Sequence, residues 1–157
     1  MEKDLNQLAK TIIDTNQYMT IASVDEHNNP WASTVAYVYD GNYNFYWVSV
    51  PESLHQKNIA HNPKIVFSIF DSHQKWGEGV GVQIEAIVTK VDLRELPKAT
   101  ECYFSRDYPY GNVLGAFGKG LENLIKGKIY HFYKATPTKV WVPDPDADVD
   151  ARVEVNL

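Results

Sequence analysis

The stretch Tyr43-Asn-Phe-Tyr-Trp-Val-Ser-Val-Pro-Glu-Ser-Leu-His-Gln-Lys-Asn-Ile-Ala-His-Asn-Pro63 decides how this chain is read. It begins as an aromatic strand, leaves it sharply at Pro51, and becomes a short helix closed by Pro63. Ser53 with Gln56 fits a capping box, in which a hydroxyl and an amide satisfy orphan donors at the helix start. His55 and Lys57 fall in the first turn and a half, where unpaired amides and the positive end of the helix dipole favour an anion. A flat aromatic wall beside such a helix start suits a ligand with a planar ring at one end and a phosphate at the other. A surface helix simply started by Ser53 is the plainer alternative.

Working outward, helical spacing of Leu5, Leu8, Ile12 and Ile13 predicts an amphipathic helix over about 4–16. Tyr18–Val24 and Trp31–Tyr39 read as strands around the turn Asp25-Glu-His-Asn-Asn-Pro30, and Asp40-Gly-Asn42 is a hairpin signal into Tyr43–Ser49. Lys64–Phe70 carries apolar residues on both faces, so it is expected to be covered on both sides. Val80, Val82, Ile84, Ala86 and Val88 alternate with Gly81, Gln83, Glu85, Ile87 and Thr89, a long half-buried strand. Gly77, Gly79 and Gly81 enter that strand rather than open a helix. They therefore signal crowding, a bulge or close ligand approach, and not a phosphate loop. A helix is expected within Asp92–Asp107 with Pro97 in its first turn, and a second from Asn112 to about Lys126, ended by Gly127. Lys128–Ala135 and Lys139–Val142 read as strands flanking Thr136-Pro-Thr138. An acidic tail over about 143–157 ends in one more short strand. The whole predicts a mainly β (α+β) chain, a β-barrel with flanking helices forming one domain over 1–157.

Composition removes several function classes. A 157-residue domain buries roughly 68–70% of its unfolded surface, so it needs no disulfide staples, and Cys102 has no partner for one. That single cysteine and the absence of a signal-like segment predict a cytoplasmic protein. No apolar run approaches the ~20 residues of a membrane span, and a thinly spread net charge of -5 argues against a nucleic-acid partner. Asp144, Asp146, Asp148 and Asp150 alternate like a calcium loop but lack its glycine and closing glutamate. His27, His55, His61, His73 and His131 are too scattered for zinc, so no metal site is expected. Cys102 reads as core packing, and no nucleophile elbow is present.

One pattern spans most of the chain: Ala-Ser-Val-Asp-Glu, Asn-Pro-Trp-Ala-Ser-Thr-Val-Ala-Tyr, Phe-Tyr-Trp-Val-Ser, Ser-Leu-His-Gln-Lys-Asn-Ile, Asn-Pro-Lys-Ile-Val, Val-Gln-Ile-Glu-Ala and Tyr-Lys-Ala-Thr-Pro-Thr-Lys-Val-Trp, in that order over roughly 18–142. This order and spacing resembles the flavin-binding split-barrel proteins related to pyridoxamine 5′-phosphate oxidase. The resemblance implies a six-stranded antiparallel split β-barrel that forms a homodimer with FMN in clefts between the subunits. By the same resemblance the flavin ring lies along Ser33, Thr34, Val35 and Ala36 and against Trp47, Val48 and Ser49. The phosphate-gripping run falls on Ser53, Leu54 and His55, with Lys57 one step further; Val80 and Val82 line the ring's other side, and Trp141, with Arg152, comes from the partner subunit.

The chain also departs from that pattern. The family's Arg and Lys on the second strand are Ser33 and Val38 here, its Gln is Val80, and the Arg of its phosphate run is Leu54. Several charge-assisted hydrogen bonds, each worth ~1.5–3 kcal/mol, are therefore absent or supplied otherwise. Haem or a deazaflavin stands beside FMN as the implied cofactor. The C-terminal Arg and His cluster of the authentic oxidase is missing, so its particular substrate is not expected. The resemblance implies an FMN-dependent oxidoreductase using a small-molecule substrate or an electron donor such as NAD(P)H, with no catalytic side chain assignable. The alternative is a non-catalytic flavin- or haem-binding module of the same fold.

Overall fold

The computed structural model describes residues 4–108, 111–112 and 130–157. Three α-helices run among them: α1 (Leu5–Thr15), α2 (Leu54–His61) and α3 (Leu96–Ser105). The strands are β1 (Tyr18–Val24), β2 (Pro30–Ala36), β3 (Val38–Tyr39), β4 (Phe45–Ser49), β5 (Lys64–Phe70), β6 (Gly81–Lys90), β7 (Asp107–Tyr108), β8 (Gly111–Asn112), β9 (His131–Pro143) and β10 (Arg152–Val155). The second helix expected from Asn112 lies outside the described residues, except that Asn112 itself belongs to β8.

The main sheet is antiparallel with order β2-β1-β5-β6-β9-β4-β3, and β10 adds to β9. Its two end strands, β2 and β3, are separated in the chain only by Tyr37, so the sheet curls until one bent strand serves both edges. Counting β2 and β3 as that one strand gives the expected six-stranded split barrel. Period-two alternation sends Met19, Ile21, Phe45, Trp47, Phe67, Ile69, Val82 and Ile84 inside, all essentially inaccessible. Asp4 caps α1 by accepting from Gln7 N at 3.1 Å, and Ala9, Ile12 and Ile13 close one end of the core.

The far end of α1 is tied down by the barrel. Tyr37 donates its hydroxyl to Ile13 O at 2.5 Å, and Arg106 donates to the carbonyls of Ile13, Asp14, Asn16 and Tyr37 while lying over the Tyr37 and Tyr39 rings. A cation is thus placed where a helix leaves its last carbonyls unpaired. On another side α3 buries Ala99 and Tyr103 against Val38, Tyr46, Val91 and Phe132, with Cys102 packed beside them.

Two strand expectations are corrected. Lys128–Ala135 and Lys139–Val142 are not separate: residues 131–143 form one strand that passes through Pro137. Glu85 pairs with Lys139 and Ala86 with Pro137, so Thr138 is the extra residue of a bulge and donates its hydroxyl to Glu85 O at 3.1 Å. The bulge accommodates a residue with no amide proton for the ladder. Nor is β5 covered on both sides within the chain. Val66 and Phe70 stand 43% and 54% exposed, because no described helix covers the outer face of β1, β5 and β6. No helix among the described residues is long and apolar enough to cross a membrane.

Candidate functional site

The turn after β4 builds the first cluster. A backbone bond from Ser53 N to Val50 O at 3.0 Å folds the chain at Pro51, and Ser53 O accepts from Gln56 N and Lys57 N to start α2. Ser53 is therefore the N-cap, but the expected capping box does not form. Its hydroxyl turns to Ser49 Oγ at 3.2 Å and His55 Nε2 at 3.5 Å, while Ser49 Oγ meets His55 Nε2 at 3.0 Å. A neighbouring strand thus outcompetes the helix amides for that hydroxyl. Burial holds the His55 imidazole below its usual pKa, which keeps it neutral near pH 7.

Lys57 is exposed and pairs with Glu52 at 3.5 Å, and Leu54 is 47% exposed. Asn58 Nδ2 donates to Ser23 Oγ at 3.1 Å and locks α2 against the end of β1. Gln56 is 3% exposed, yet neither atom of its amide has a partner among the described residues.

The second cluster lies on the uncovered outer face of the sheet. Strand register aligns Thr34, Thr20, Ser68, Gln83 and Trp141 in one row across β2, β1, β5, β6 and β9. A groove of about 520 Å³ runs there, lined by Thr20, Thr34, Phe70, Gly81, Gln83 and Arg152 among others. The Thr20 and Thr34 hydroxyls meet at 3.2 Å, and Arg152 Nε donates to Gln83 Oε1 at 3.1 Å while its guanidinium pairs with Asp150. A second groove, of about 530 Å³, lies two residues further along the same strands, by Ala22, Val66 and Glu85.

The remaining predicted residues scatter. Ser33 Oγ accepts from Trp31 Nε1 at 2.9 Å, and Val35 and Ala36 are half-buried. Trp47 is wholly inside, stacked on Tyr133 at 5.8 Å, with its Nε1 unpartnered; Val82 is also core, and Val48 packs beneath α3. Val80 is clamped through its backbone by Gln74, and Trp141 Nε1 donates to Glu85 Oε1 at 3.2 Å. At Gly79 and Gly81, which also line the outer groove, the glycine signal includes crowding, whereas Gly77 has open space around it and a φ of +79°. A Cβ on Gly79 or Gly81 would come within 3.1–3.3 Å of the Phe70 ring, and on Gly81 also within 3.1 Å of Ile69 O. No residue of the α2 cluster lines the outer groove.

Sequence reasoning missed Thr20, Ser68, Gln83 and the orphaned Gln56. The first three were visible as outward positions of alternating strands, but only register puts them in one row. No group of three metal-ligating side chains exists among the described residues. For a planar cofactor with an anionic tail the donors fit: hydroxyls, an amide and Arg152 in the groove, with serine hydroxyls and Lys57 at the α2 start.

The sequence model of the family described as pyridoxamine 5′-phosphate oxidase matches residues 5–121. No curated protein matches. Among solved structures, a haem-binding protein from Mycobacterium smegmatis superposes with a TM-score of 0.73 at 16% identity, over 98% of this chain and 59% of that one. HutZ, a haem storage protein from Vibrio cholerae, gives 0.68 at 14% identity, over 88% of this chain and 94% of its own. An FAD-binding protein from Mesorhizobium loti gives 0.63 at 12% identity, over 87% and 90%. The chain spans about three fifths of the Mycobacterium structure and of a protein from Agrobacterium tumefaciens, 59% and 61%. At these identities the likeness is one of fold.

Proposed function

The chain belongs to the family of pyridoxamine 5′-phosphate oxidase, and on that premise we propose that it binds FMN at the seam between two copies and acts as an oxidoreductase. One observation carries this. Polar side chains gather in two clusters, Ser49, Ser53 and His55 at the start of α2 and Thr34, Thr20 and Gln83 in the outer groove, and the two share no lining residue within one chain. A second copy laid on the uncovered face of β1, β5 and β6 supplies one cluster to the other.

In that arrangement Ser49 and Ser53 would hydrogen-bond the phosphate end, and Lys57, released from Glu52, would contribute charge. Thr34, Thr20 and Gln83 would meet the polar edge of the ring, and the apolar surfaces of Phe70 and Tyr18 would keep water from it. A bound flavin would supply the redox chemistry, hydride transfer between a donor such as NAD(P)H and a small-molecule acceptor. Half-buried Cys102, its thiol donating to Tyr39 O at 3.1 Å, suits a reducing cytoplasm.

A haem-binding module is the second reading. It is favoured by the weak charge at the α2 start, where His55 is neutral, Lys57 is paired and Leu54 stands in place of a cation. The absorbance spectrum of protein as isolated, followed by titration with FMN and then haemin, separates the two. Flavin bands that bleach anaerobically with NADH or NADPH support the oxidoreductase; a Soret band with no FMN affinity overturns it in favour of haem.

A further inference from the structure

The loop joining β5 to β6 bears the most exposed large apolar side chain among the described residues, Trp76, at 100% accessibility. Its root is rigid. Gln74 donates to both Asp71 O at 2.8 Å and Val80 O at 2.9 Å and accepts from Val80 N at 2.8 Å, so one side chain staples the two arms together. Beyond that staple the tip turns through a Glu78 N to Lys75 O bond at 3.1 Å, with Gly77 at φ +79°, a conformation that suits glycine. The arms leave the sheet at Phe70 and Gly81, which pair in register, and both residues line the outer groove. Trp76 thus stands fully in water on a stapled root, three residues from Gly79 of the outer groove.

We propose that Trp76 folds over this groove and stacks on the planar heteroaromatic ring lodged there, acting as the wall that selects flat ligands. The groove supplies the matching chemistry, with hydroxyls and an amide at its floor (Thr20, Thr34, Ser68, Gln83), one guanidinium (Arg152), and Tyr18 and Phe70 as apolar sides. The Phe70 ring packs against Gly79 and Gly81, so the groove wall it forms adjoins the arm that leads to Trp76. The ring's identity rests on the flavin reading; the role of Trp76 requires only a flat ring.

The test uses the full chain with FMN, and with haemin in a parallel series. Trp76→Ala is expected to weaken binding about 5- to 10-fold, the range of one aromatic stack, and Trp76→Phe to stay within about twofold of the parent. Hydroxyl-radical footprinting read by mass spectrometry should show Trp76 as the most oxidised tryptophan in the ligand-free protein and shield it on saturation. Unchanged oxidation of Trp76 in protein saturated with either ligand, or equal affinity of Trp76→Ala, overturns the stacking role while leaving the cofactor assignment intact. Shielding that rises with protein concentration and needs no ligand overturns it too, assigning Trp76 to contact between copies. Failure of the parent to bind either compound ends both the cofactor assignment and the stacking role.

Discussion

Replacing Asp40 by Asn should remove one of the principal anchors of α3 on the barrel, with an effect that pH can dissect. Asp40 is 8% exposed, and its carboxylate accepts from the backbone N–H of Asn42 and Asn44 at 3.0 Å, from the Tyr46 hydroxyl at 3.1 Å and from Lys98 Nζ at 2.7 Å. Burial alone would raise its pKa, but the Lys98 ammonium and the Asn42 and Asn44 donors outweigh it and hold the carboxyl down at about 2. Relative to an ordinary value near 3.8, that shift corresponds to about 2.5 kcal/mol favouring the folded state at neutral pH. Asn keeps the shape but loses the charge and turns an N–H toward one of these donors. The expected loss is therefore about 2–4 kcal/mol, or about 5–15 °C in Tm for a chain of this size.

The sign follows from linkage. The folded pKa lies below the unfolded one, so the contribution is whole above about pH 4 and is lost as pH falls toward 2, where the folded carboxyl also protonates. Thermal melts followed by circular dichroism at pH 7 and near pH 2.5 measure it. The gap between parent and Asp40→Asn should be widest at pH 7 and shrink in acid. A gap below about 0.5 kcal/mol at pH 7, or one that does not change with pH, refutes the assignment of Asp40 as a charged anchor.

Three further outcomes follow from the same geometry. Because burial lowers the His55 pKa, its contribution to stability is present above the unfolded value near 6.5 and is lost as pH falls through the lower folded value. A Tm profile from pH 7.5 to 5 should drop in the parent and flatten in His55→Gln. Lys57→Ala should weaken FMN binding about tenfold, and Glu52→Gln, which frees Lys57 from its 3.5 Å pair, should tighten it; titration with FMN measures both. Gly81→Ala places a Cβ 3.1 Å from the Ile69 carbonyl oxygen and should lower stability by about 1–3 kcal/mol in denaturant melts. At Gly79 the neighbour is only the Phe70 ring, which can swing away, so the loss should stay under about 1 kcal/mol.

Much of the architecture was written in local pattern. The two-residue period of Val82, Ile84, Ala86 and Val88, the helical spacing of Leu5, Leu8, Ile12 and Ile13, and the Asp40 turn each depend on residues within a few positions of one another. Local sterics, backbone capping and one-sided burial decide such features, and neighbours in sequence report them. Tertiary structure alone decided the rest. The Ser53 hydroxyl has helix amides and Ser49 equally within chemical reach, and only the placement of β4 settles the choice. Pro137 looks like a strand terminator until β6 offers a bulge to receive it. The row Thr34, Thr20, Ser68, Gln83 exists because four strands, some far apart in the chain, pair in one register. A slip of one residue would turn that row into the core, and only the summed packing of distant segments prevents it.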